Sequence, residues 1–169
     1  MIIDSMSSIL PLKKVVTGGQ TGTDRALLDV ALELGLPCGG WCPKGRLAED
    51  GIIADRYPLV ETATEAVEER TELNARDSDG TVILIFGPPT GGTLFTIECA
   101  EKYARPFFEV DMDAGFYADQ IVSLEKWRRA NDIQVLNVAG PRESLRPGRI
   151  YLKSVDFLKC YFTTYQSIQ

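Results

Sequence analysis

Gly18-Gly19-Gln20-Thr21-Gly22-Thr23 pairs residues that let a backbone approach a ligand closely with hydroxyls and an amide that can bind it. The run lies between an apolar stretch and a helical one. The helix N-terminus behind it would offer unpaired N–H groups and a partial positive charge, the elements of an anion site. Thr90-Gly91-Gly92-Thr93 repeats the arrangement later in the chain. Neither run is the dinucleotide fingerprint, and neither carries the lysine of a P-loop. Either alone could be a tight turn capped by threonine, but together they point to amides directed at one phosphate.

Four cations could complete such a site: Arg25, Lys44, Arg46 and Arg142. Arginine suits bidentate phosphate contact and lysine a point-charge contact. Arg142 is the best placed, in the turn Gly140-Pro141-Arg142-Glu143-Ser144, whose Glu143 and Ser144 join the candidate set. Arg70, Asn74 and Asp77 share one side of a helix, where they would either hold a ligand or lock the helix near Asp79. Asp77-Ser78-Asp79-Gly80 reads as an ordinary turn and only weakly as a metal site. Histidine is absent, which removes Ser-His-Asp and Cys-His catalysis and imidazole-ligated metals. Cys38 and Cys42 have neither redox-pair nor metal spacing, so the four cysteines read as small buried residues. The sharper alternative is a Cys42 thiolate near the ligand.

The elements that must position these groups alternate. Lys13–Thr17 reads as a strand, Thr23–Leu34 as a helix stopped by Gly35 and Pro37, and Pro37–Trp41 as a second strand. An irregular loop covers 42–55. A short strand spans Tyr57–Glu61, and a helix runs from an N-cap at Thr64 to Arg76 with Ala66, Val67 and Leu73 inward. Thr81–Phe86 is unbroken by polar residues and is expected to be central and buried on both faces. A helix over Leu94–Tyr103, a strand over Pro106–Val110, a helix over Phe116–Asn131, a strand over Ile133–Ala139 and a C-terminal helix opened by Pro147 complete the pattern. It predicts an α/β fold: a three-layer Rossmann-like domain with a mostly parallel sheet flanked by helices on both faces. One domain is expected over 1–169, with 1–12 as a loose N-terminal segment. Right-handed crossovers bring the three glycine-bearing turns to one sheet edge, where such folds bind ligands.

The 169 residues suffice for a core, and 44% apolar with 25% charged is ordinary for a globular chain. No stretch approaches the ~20 apolar residues of a membrane span, and no secretory signal is read at the N-terminus, so a cytoplasmic location is expected. A net charge of −6 argues against nucleic acid and anionic membranes as partners, leaving a phosphate-bearing small molecule.

Gly18 to Arg25, Gly39-Gly40-Trp41-Cys42-Pro43-Lys44-Gly45-Arg46 with Glu49-Asp50-Gly51, Arg70 to Thr81, Gly91-Gly92-Thr93 and Asn137 to Ser144 together resemble the molybdenum-cofactor carrier family. The likeness runs from about Lys14 into the C-terminal helix. It implies a Rossmann-like subunit, oligomeric assembly and non-covalent binding of molybdenum cofactor (molybdopterin), with no metal ligated directly by protein. It also implies membership of a wider SLOG-type superfamily of nucleotide-ligand sensors and cytokinin-activating phosphoribohydrolases. Those enzymes carry a PGGxGTxxE loop. Here Pro89-Thr90-Gly91-Gly92-Thr93 departs from it, and the next acid on the helix, Glu98, lies five residues past Thr93.

The resulting expectation is a non-catalytic carrier of a pterin phosphate, with a nucleotide-ligand sensor or nucleoside-monophosphate phosphoribohydrolase as the alternative. A homo-oligomer through the C-terminal helix is also expected. There Val155, Leu158, Phe162 and Tyr165 form one apolar stripe, and Tyr151, Phe157 and Tyr161 a second that needs its own cover.

Overall fold

The structure is a computed structural model that describes residues 11–166, so the expected loose segment falls outside them up to residue 10. The elements are β1 (Lys14–Val16), α1 (Thr23–Leu34), β2 (Cys38–Gly39), β3 (Trp41–Cys42), β4 (Leu47–Ala48), β5 (Gly51–Ile52), β6 (Val60–Glu61), α2 (Val67–Arg76), β7 (Gly80–Ile85), α3 (Gly91–Lys102), β8 (Phe107–Asp111), α4 (Ala118–Ala130), β9 (Val135–Ala139) and α5 (Ile150–Tyr165). Five strands form a wholly parallel sheet in the order β2-β1-β9-β7-β8. The α/β layering is therefore as expected.

The middle place belongs to β9, with the apolar β7 one position off centre yet buried along nearly its whole length. Counted from β9, then β1, β2, β7 and β8, the spatial order becomes the 3-2-1-4-5 of a doubly wound nucleotide-binding sheet. The strand that is first in that pattern thus comes last in the chain. Its switch point, where crossovers change direction, lies between β9 and β7.

α1, α4 and α5 cover one face, burying Leu27, Val30, Leu124, Phe157 and Phe162 against Val15, Val82, Leu84, Leu136 and Val138. The alternate residues Thr81 and Asn137 look toward α2 and α3, and that layer is polar: Thr71, Asn74 and Thr96 are buried there as well. The helix pattern misread this face. Ala66 and Val67 are exposed and Leu73 half-buried, whereas Thr71, Asn74 and Ala75 point inward. α2 also starts later than expected: its N-cap is Ala66, and Thr64 before it donates through its hydroxyl and N–H to the Glu69 carboxylate of the first turn.

The expected strand over Pro37–Trp41 breaks at Gly40. Its φ of 124° is open to glycine and strained for other residues, and a Cβ there would lie 2.2 Å from the Thr17 carbonyl in a contact the fold has no room for. The chain leaves the main sheet at that point, and β3 pairs with β6 instead. Asn74 holds β3 in place, accepting from Trp41 N–H (2.8 Å) and donating to its carbonyl (2.9 Å).

The central residues of both α5 stripes are buried inside the subunit, while Tyr151, Val155 and Tyr165 are half-buried. Phe157, Leu158, Tyr161 and Phe162 are at most 1% exposed, and the Tyr161 hydroxyl donates to Glu125 (2.7 Å), itself paired with Arg128. α1 and α4 of the same subunit cover these buried residues, so the two stripes do not by themselves call for a second subunit. No helix among the described residues is long and apolar enough to cross a membrane.

Candidate functional site

A cavity of about 460 Å³ opens at the C-terminal edge of the sheet, at the β9–β7 switch point. Its largest wall is the segment from Ile85 through Gly87-Pro88-Pro89-Thr90 to Thr96, which leaves β7 and opens α3. Ala139 to Arg142 after β9 forms the opposite side, and Gln20, Asp24, Val67, Glu68, Arg70 and Thr71 close the floor and rim. Gly91 and Gly92 are exposed, and an added Cβ at either would meet no atom within 4 Å. Thr93 is 91% buried yet lines the cavity, and its hydroxyl has no partner among the described residues.

Of the residues singled out from sequence, the cavity gathers Gln20, Arg70, Thr90, Gly91, Gly92, Thr93, Gly140, Pro141 and Arg142. Arg142 is exposed and its side chain has no hydrogen bond or ion pair among the described residues. The others serve the protein itself. Gly18 and Gly19 are buried, the first beneath the Arg70 guanidinium and the second against Leu59. Gly22 packs on Pro141 and Glu143, and the Thr23 hydroxyl meets Ser154 (3.2 Å). Thr21 takes the Glu143 N–H (3.2 Å) and donates to Glu49. Ser144 donates to Glu49 through N–H (3.1 Å) and hydroxyl (2.7 Å). The Glu143 carboxylate accepts from Tyr151 N–H (2.7 Å) at the start of α5.

The cations divide in the same way. Arg25 is turned from the cavity into a two-bond pair with Asp50 (3.0 and 3.1 Å) and onto the Gly19 carbonyl. Arg46 donates to the carbonyls of Ile53, Ala54, Tyr57 and Leu59, so it ties the long loop together. Lys44 is exposed and does not line the cavity. Cys42 is fully buried among Leu28, Ile53, Tyr57 and Leu59, where burial raises its thiol pKa, so it is an apolar filler outside the cavity. Asp77 pairs with Arg76 and accepts from the Trp41 indole, and Asp79 accepts the N–H groups of Gln134 and Val135. Both aspartates lock structure, as one of the two readings of that helix face had it.

The floor holds residues that sequence reasoning underused. Asp24 is 3% exposed; burial raises its pKa despite the Arg70 guanidinium at 3.4 Å and a hydrogen bond from Gln20 N–H (3.1 Å). The buried Arg70 Nε has no hydrogen-bond partner among the described residues. A donor of that kind is costly to leave unpaired, and its place at the cavity floor suits a ligand or water oxygen. The available signal was Gly18, which is glycine because an arginine lies across it. Phe95, Pro88 and Leu145 add apolar wall.

Comparisons agree with this fold. No curated protein matches the chain. The crystal structure of the "Putative molybdenum carrier protein" of Syntrophus aciditrophicus SB is similar at 43% identity and a TM-score of 0.86, over 89% of this chain and 94% of that one. (E)-4-Hydroxy-3-methyl-but-2-enyl diphosphate reductase overlays only at 12% identity and a TM-score of 0.37, over 90% of this chain and 59% of that one, too poorly to compare sites. The profile of the circularly permutated YpsA SLOG family matches residues 15–162, in keeping with a sheet whose first strand in the doubly wound pattern is its last in sequence. The chain belongs to that family.

Proposed function

We propose that this protein binds and carries a phosphate-bearing heterocycle of the molybdenum-cofactor type, a pterin phosphate, without transforming it. The observation that carries the reading is the open N-terminus of α3, where Gly91, Gly92 and the Thr93 hydroxyl, without a partner among the described residues, share one cavity with Arg142. Backbone N–H groups and a guanidinium together suit a phosphate. Cavity size separates this ligand from a bare oxyanion. At about 460 Å³, the space is in the range of small-molecule pockets, and a lone tetrahedral anion would leave most of it empty. Phe95, Pro88 and Leu145 provide apolar wall for a ring, and Arg70 a donor for its polar edge. Molybdenum would arrive on the ligand, and the name of the Syntrophus protein supports that cargo.

Glycosidic hydrolysis of a nucleotide is disfavoured by placement. Glu98 is exposed and outside the cavity, and Asp24 is engaged by Arg70 and Gln20 N–H. The test is mass spectrometry and metal analysis of protein purified from molybdenum-replete cells. The expected result is sub-stoichiometric molybdenum with a pterin that fluoresces after oxidation. Retention of an adenine nucleotide without pterin would replace this reading with a nucleotide-ligand sensor.

A further inference from the structure

The β4–β5 hairpin lies outside the main sheet, and Glu49 at its turn touches two separate segments. Its carboxylate accepts from the Thr21 hydroxyl after β1, and from the N–H (3.1 Å) and hydroxyl (2.7 Å) of Ser144 after β9. Its own N–H donates to the Gln20 side chain (2.9 Å). Burial would raise this carboxyl, but the bonds from Thr21 and Ser144 outweigh it and hold the pKa below the usual range. Glu49 does not line the cavity, whereas its neighbours Gln20 and Arg142 do. Arg142 precedes the short turn that Ser144 anchors, and Thr21 takes the next N–H, from Glu143. The turn is thus fixed from the side away from the ligand.

We infer that Glu49 is a positioning residue: it holds the turn after β9 so that Arg142 presents its guanidinium to the ligand's phosphate. The inference rests on the anion-binding reading of the cavity. The opposite effect is also physically available, since a carboxylate close to Arg142 weakens the local attraction for anions, and the two predict different signs.

Titration of the full chain with inorganic phosphate decides between them. Arg142→Ala and Glu49→Ala are each expected to weaken binding about tenfold, and the double variant no further than either alone. Glu49→Gln, which keeps an acceptor for Ser144, is expected to stay within about twofold of the parent. Ser144→Ala, which removes one of the two Ser144 bonds, is expected to fall between and covers the case in which Glu49→Ala does not fold. Tighter binding in Glu49→Gln would show that charge dominates, and additive losses would show a general structural role; either overturns the inference. A parent protein that binds no phosphate would instead refute the cavity reading itself, and Arg142 dependence without Glu49 dependence would refute only this proposal.

Discussion

The two glycine turns carry nearly the same residues and do opposite work. After β1, an added Cβ at Gly19 would lie 2.5 Å from Leu59 and at Gly22 2.5 Å from the Pro141 carbonyl, while Gly18 lies under Arg70. At the start of α3, a Cβ added at Gly91 or Gly92 would meet no atom of the described residues within 4 Å. The first turn is filled by protein and the second stands open. Strand order explains the difference. β7 borders the switch point, whereas β1 is one strand removed, between β9 and β2. A glycine-rich turn signals close approach; position in the sheet decides whether the approaching group is ligand or protein.

The largest expected effect tests the filled turn. Gly22 has φ 79° and meets backbone atoms that cannot step aside, so Gly22→Ala should lose about 3–5 kcal/mol of stability from strain and overpacking. A melting temperature within a few degrees of the parent would break the contrast. At the open side, Arg142→Ala should weaken binding by about 1.5–3 kcal/mol, the worth of a charge-assisted hydrogen bond. Its melting temperature should hardly move, because the side chain makes no hydrogen bond or ion pair among the described residues. Arg25→Ala is the control: calorimetric titration should show affinity unchanged, since Asp50 already holds that guanidinium.

Gly92→Ala should raise stability by up to about 1 kcal/mol, because alanine is the better helix residue and has free space there. The same methyl group would enter the cavity, so affinity should fall as stability rises. Unfolding and binding curves on one preparation would show whether the two move apart.

The smallest effect is acidic. The Arg25 hydrogen bonds hold Asp50 below the usual carboxylate range, and Glu49 is lowered as well. Groups lowered by folding contribute stability above their unfolded value, about 4, and lose it as pH falls through the lower folded value. The hairpin at 47–52 should therefore exchange its amides faster below about pH 4, while the α3 turn, without such carboxylates, shows no matching change. Both groups are well exposed, so the overall loss of stability should be small.

Local pattern alone determined much of this protein. Hydrophobic periodicity identified the main-sheet strands and the helices, though not the β4–β5 hairpin inside the loop at 42–55; the alternation implied a parallel three-layer sheet, and the absence of histidine removed whole classes of catalysis. Glycines and hydroxyls before helices marked the binding edge, because those residue types have few other uses there. Tertiary structure decided what periodicity does not encode. Apolar spacing cannot reveal an inward helix face that is polar, and so Arg70, Thr71 and Asn74 on α2 became legible only once α3 and Asn137 were seen opposite. The two stripes of α5 showed that the helix is covered on both sides, but not that α1 and α4 of the same subunit cover it. Strand order is a property of long-range pairing, and it sent Arg25 to Asp50 and left Arg142 to the ligand.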